Sequence, residues 1–286
     1  MNISISLSVE ANIFVAGIAM SPINILSSSN QTTKHESYIK KFSNDVYMRH
    51  YRKLIKIEEN EDGSLASKIS SELETFLKFF QIEQEYINDV TEVVGELIDN
   101  GLEHSNTDCL IDVDVTSDHI KTGDPDGIYY GVNITILSFS NILMSDKIKN
   151  IYDKKSNPPF DKLRAAHTNH ITFFNDIYTE DDFFAMAAFQ HKISGRSLVS
   201  HTGGTGLTHL ISALESKSDA YNCYMISGER ILSFQQDLLK QDSSGWVGFN
   251  SEHDFINYPP RYDTFSKSPI YLPGVAYNLN FVLKKE

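Results

Sequence analysis

The sequence predicts an α+β two-layer sandwich, and three observations carry that prediction. Helical periodicity is concentrated in residues 64–105 and gives way to strand-like alternation at 110–115 and 128–137. Helices therefore precede an antiparallel meander instead of alternating with parallel strands. Strand patterns return after residue 220, at 221–226, 230–234 and 275–283. The 286 residues are 41% hydrophobic, enough to bury a sizeable core in one large domain or two.

The first 62 residues read as a strand–helix segment of their own. Ile3, Ile5, Leu7 and Val9 alternate with polar residues, as in a half-buried strand; a polar loop follows at 27–33, and a helix is expected around 38–57. His50 on that helix reads as a surface or packing histidine. The acidic, turn-rich run 58–63 reads as a linker. The apolar stretch 13–20 lacks a basic start and is preceded by Glu10 and Asn12, so it does not read as a signal peptide, and no stretch is long enough to span a bilayer.

Residues 64–80 carry Leu65, Ile69, Leu73, Phe76, Leu77 and Phe80 at helical spacing. The next helix holds the first chemical constellation. Val93, Val94, Leu97, Ile98 and Leu102 form its apolar stripe, while Glu92, Glu96, Asn100 and Glu103 or His104 line up on the polar face. A carboxylate and a carboxamide one turn apart can hold a metal ion and a water between them. The second constellation is the run from His201 to Ile211, in which Thr202, Gly203, Gly204, Thr205 and Gly206 lead through Leu207 into an apolar helical pattern ending at Leu214. Glycines let a backbone approach a ligand closely, and a helix start offers free N–H groups to phosphate.

In this order, ELIDNGLEHS and GGTGLTHLI resemble the N box and the G2 box of the GHKL ATP-binding superfamily of gyrases, chaperone ATPases, histidine kinases and MutL. The resemblance covers roughly residues 70–286. It implies a Bergerat-type fold with a mixed, mainly antiparallel sheet, spanning 63–286, with an ATP lid at 141–201. It further implies ATP and Mg²⁺ as cofactors, with the metal on Asn100 and Glu96 as the base that deprotonates water. Thr202, Gly203, Gly204, Thr205, Gly206 and Leu207 would form the phosphate loop, with Arg196 and Lys192 near it. Glu103 stands where the histidine kinases carry a basic residue, and His104 reads as a structural hydrogen-bonder.

The chain departs from the family at the G1 box. Ser138 stands at the position of the adenine-binding Asp, and Ser140 and Ile142 stand at two glycine positions. A serine hydroxyl still accepts a hydrogen bond from an amine, but a neutral bond is about half as strong as a charge-assisted one. A divergent working site and a decayed one both fit these residues.

Within the lid interval, residues 181–190 are apolar enough for a packed helix, and Glu180, Asp181 and Asp182 read as its exposed start. Ser227, Gly228 and Glu229 signal a hairpin between two strands. Residues 235–272, with the only tryptophan, Trp246, read as an insertion over the sheet edge and a surface for a partner protein.

The net charge of −13 disfavours nucleic acid and anionic membranes as partners, and the two distant cysteines fit reduced thiols in a cytoplasm. The leading expectation is an ATPase that switches a partner protein, with homodimerisation common among relatives. The alternatives are a protein kinase of the histidine-kinase or anti-sigma type, and a non-catalytic nucleotide-binding module.

Overall fold

The computed structural model describes residues 50–60, 63–105, 107–116, 119–121, 124–193, 206–218 and 223–286. The chain divides into two compact units, one of Met1–Phe139 with Ala276–Glu286, the other Ser140–Val275. The class is α+β, with an open antiparallel sheet and helices, as the sequence predicts.

In the first unit, α1 (Leu65–Lys78) and α2 (Gln84–Ser105) pack against each other along the expected apolar stripes. Leu65, Ile69, Leu73 and Leu77 of α1 are buried, as are Val90, Val93, Val94, Leu97, Ile98 and Leu102 of α2. Asn60 accepts the Leu65 N–H at the start of α1, and Gln81, at φ +57°, turns the chain between the helices.

The strands are β1 (His50–Ile55), β2 (Cys109–Val115), β3 (His119–Lys121), β4 (Asp124–Phe139), β5 (Tyr224–Ser233) and β6 (Phe265–Lys284). Their order is β1-β2-β4-β6-β5, with β3 paired on β4. Ile55, Cys109 and Ser138 share one register line across β1, β2 and β4. The helix expected around 38–57 is therefore replaced at 50–55 by a strand that stands at the end of the order among the described residues, and residues 38–49 lie outside the described residues. The reason is tertiary: Arg52 stands opposite Asp112 in the β1–β2 register and is spent there as an ion pair.

β2 also differs from its expected form. It alternates apolar and acidic residues, yet every one of its residues is buried. Cys109 meets α2, so the odd-numbered residues face the helices and Asp112 lies on the opposite face. There Arg52 Nη2 donates to Asp112 Oδ2 at 2.5 Å, and His50 Nε2 donates to Oδ1. The buried carboxylate is held by partners on the neighbouring strand rather than by water, and His50 is a packing residue.

The second unit holds α3 (Met144–Tyr152), α4 (Pro158–His170), α5 (Glu180–Ala187) and α6 (Gly206–Lys217). The Asn157 side chain accepts the Phe160 N–H, and Pro158 and Pro159 occupy the first turn of α4. As expected, α5 is a packed helix. Its start is not wholly exposed, because Asp182 is buried: it closes a capping box with Thr179 and takes a two-point ion pair from Arg230. Phe183 and Phe184 of α5 join His167, His170, Phe174, Tyr178 and Phe255 in an aromatic cluster.

The expected hairpin lies within β5. Ten extended residues would span about 33 Å, yet the Phe234 N–H donates to the Cys223 carbonyl at 2.8 Å. The two ends therefore meet, and the chain doubles back near Gly228, at φ +62°. β6 begins at Phe265, inside the segment read as an insertion. Pro269, Pro273 and Gly274 interrupt its strand pattern in the sequence.

Candidate functional site

Glu96 and Asn100 both lie half-buried on α2, one turn apart. At roughly 100° per residue, four residues rotate by about 40° around the helix, and that rotation separates their surroundings. Glu96 lines a groove of about 580 Å³ between α1 and α2, with Ser67, Ser70, Thr91, Glu92, Gly95 and Asp99; Asn100 is not among its lining residues. Gly95 allows the close approach of the two helices, since a methyl group there would lie 2.6 Å from Ser70 Oγ.

The residue after Asn100 makes the tightest contact in this region. A methyl group at Gly101 would sit 2.5 Å from Cys109 Sγ and 3.3 Å from Ser138 Cβ. Only a glycine lets the last turns of α2 press onto β2 and β4 at this point. The fold thus joins two stretches that are distant in sequence: the end of α2, bearing Asn100, and the end of β4, bearing Ser138.

Ser138 is 8% exposed, and neither its hydroxyl nor the Asn100 carboxamide hydrogen-bonds to a described residue. Ser140, at one of the expected glycine positions, is buried and accepts the Ile142 N–H at 3.0 Å; Ile142 itself is exposed.

The remaining expected site residues belong to the other unit. Arg196, Thr202, Gly203, Gly204 and Thr205 lie outside the described residues. Gly206 is the first residue of α6, and Leu207 follows it half-buried. Lys192 is exposed at φ +64°. Among the described residues, no three His, Cys, Asp or Glu side chains form a metal-binding group.

Sequence reasoning missed Gly101. Its signal was a glycine inside an otherwise strong helical pattern, which costs about 1 kcal/mol against alanine and so asks for a packing reason. It also missed the His50–Asp112–Arg52 cluster, signalled by acids inside a β-branched strand.

Comparison with known proteins returned no relative: no protein-family model, curated protein or solved structure matches the chain.

Proposed function

We propose that this chain is a Mg²⁺-dependent ATP-binding protein of the GHKL type, built on a Bergerat-type sandwich, that hydrolyses ATP as a conformational switch on a partner protein. The observation that carries the reading is the contact of Gly101 with Ser138. It brings the stretch that resembles the N box against the stretch that stands where the G1 box is expected, and neither the Asn100 carboxamide nor the largely buried Ser138 hydroxyl hydrogen-bonds to a described residue.

The donor set fits the group. Magnesium takes oxygen ligands and keeps several waters, and the Asn100 carboxamide oxygen offers one such ligand without competition from a described residue. Bound there, magnesium would neutralise phosphate charge. Glu96 would take a proton from water, and Ser138 would accept a hydrogen bond from the base amine. The role of 202–207 as a phosphate loop is what the resemblance implies.

The test is ATP turnover by the purified chain beside Asn100→Ala and Glu96→Ala. Turnover in the parent that falls at least tenfold in both variants supports the reading, and one background rate in all three ends it.

A second reading, nucleotide binding without hydrolysis, is favoured by one observation: Glu96 faces the α1–α2 groove while Asn100 lies outside it. Calorimetry separates the two readings. Heat with Mg-ATP that is lost in Asn100→Ala and kept in Glu96→Ala, without turnover in the parent, selects the binding module.

A further inference from the structure

His170 is fully buried, at 0% exposure, near the end of α4. Its Nε2 lies 2.8 Å from the Phe255 carbonyl and its Nδ1 2.6 Å from the Tyr178 hydroxyl. A carbonyl can only accept, so Nε2 carries the proton. Nδ1 of the neutral ring then accepts from the tyrosine. Phe173, Tyr178, Phe183 and Phe255 surround the imidazole, with ring centroids within 6.0 Å. Both hydrogen bonds therefore suit the neutral ring in an apolar cage. An imidazolium would donate from both nitrogens, so the Tyr178 hydroxyl would have to turn from donor to acceptor, and among the described residues the cation has no carboxylate in hydrogen-bond contact.

The charged groups around the cage are already engaged. His167, one turn earlier on α4, is bonded through Nε2 to Glu180 at 2.9 Å. Asp182 of α5 is bound by Arg230. Asp254, beside Phe255, accepts the Ile256 and Asn257 N–H groups. Burial pushes the His170 imidazole below its ordinary value. The Phe255 carbonyl opposes that shift, proximity to His167 adds to it, and Asp254 opposes it again.

The element fastened by His170 is loop 248–263, which is stiffened from within. Asn250 Nδ2 donates to the carbonyls of Asp254, Tyr258 and Pro259. The loop meets α4 through His170 and through Asn169, whose Nδ2 donates to the Ile256 carbonyl at 3.1 Å. Phe255 also stacks on Phe183 and meets Trp246 edge-on at 5.5 Å. Phe249 and His253 hold left-handed φ values of +54° and +52°, a strain that release of the loop would relieve.

We propose that His170 is an acid-operated clasp: neutral, it fastens loop 248–263 to α4, and its protonation lets that loop come away. With the loop open, His170 titrates near the ordinary histidine value of about 6.5, and with the loop clasped it titrates lower. Stability of the clasp is fully present above about pH 6.5. It falls by up to about tenfold in the closed-to-open ratio per pH unit as pH drops toward the clasped value.

Trp246, the only tryptophan, reports on the loop through Phe255. Acrylamide quenching of the full chain from pH 7.5 to 5.0, with far-UV circular dichroism to detect global unfolding, is compared with His170→Gln. Glutamine offers one N–H donor and one carbonyl acceptor in place of Nε2–H and Nδ1, and it does not titrate. The wild type is expected to become more quenchable in a one-proton transition with its secondary structure unchanged, and H170Q to stay flat. His191, whose carbonyl accepts the Trp246 N–H, titrates in both proteins, so the same transition in both overturns the proposal. A flat wild type does so too. Histidine ¹⁵N spectra of the wild type decide without any variant. His170 should remain the Nε2–H neutral form until the quenching transition, and its protonation without a change in quenching would sink the clasp.

Discussion

Asp112 in the first unit and Asp182 in the second are each buried against an arginine, and the two pairs differ in access to water. Arg52 and Asp112 lie between adjacent strands; the arginine side chain is 0% exposed, and His50 shares the carboxylate. Asp182 is as buried as Asp112, but its partner Arg230 keeps 27% of its side chain in solvent and also caps the Ile177 carbonyl. Removing the carboxylate takes its two-point partner from a guanidinium that water does not reach in the first case, and from an arginine that can turn to water in the second. The cost of breaking an ion pair thus depends on what the surviving partner can do.

The largest effect is expected for Asp112→Ala, a loss of about 3–5 kcal/mol in urea unfolding. The same pair sets an acid limit. Burial pushes the Asp112 carboxyl up, but hydrogen bonds from His50 and Arg52 and their charges outweigh it and hold it below the usual carboxylate range. Its contribution is present above about pH 4 and lost as pH falls through the folded value, so Asp112→Asn should flatten acid unfolding there.

Asp182→Ala should cost about 2 kcal/mol, from the lost cap and the charge-assisted bonds. A loss equal to that of Asp112→Ala would break the comparison by showing that the solvent access of Arg230 is irrelevant.

Two glycines sharpen it on a smaller scale. Gly101→Ala presses a methyl on Cys109 and Ser138 and should destabilise by about 1–2 kcal/mol even after the gain in helix propensity. Adding Cys109→Ala should recover part of that loss, measured as a double-mutant coupling. Gly95→Ala meets the Ser70 hydroxyl, which can turn away only by giving up its bond to the Thr91 carbonyl; that loss of about 1 kcal/mol offsets the gain in helix propensity, so the variant should be near neutral in thermal melts. The smallest stability change, within about 0.5 kcal/mol, is expected for Asn100→Ala, because the side chain makes no hydrogen bond to a described residue.

The parts of the fold legible in the sequence are those written in local periodicity. The stripes of α1 and α2, the packed α5 and the Gly228 hairpin each follow from spacing or turn chemistry within a few residues. Strand β1 was not legible, because residues 38–57 read as a helix, with His50 a surface or packing residue on it, until Asp112 arrives from a strand distant in sequence. For the same reason the acids of β2 read as a wet face.

At the candidate site, the polar line on α2 was readable, and Glu96 and Asn100 do share that helix. Their separation by the α1–α2 groove was not, because it depends on which neighbour packs against each side. The closeness of Gly101 to Ser138 needed the sheet register, which no spacing along the chain encodes.

Strand β6 carries a consequence for how the protein is made. Its later half lies inside the sheet, next to β4, and residues 276–286 complete the first unit. On the ribosome, the helices and strands before residue 139 emerge well before that closing piece, with β4 meanwhile presenting a bare edge. Residues 140–275 can collapse in the interval, so the half of the molecule translated first must wait longest to be finished.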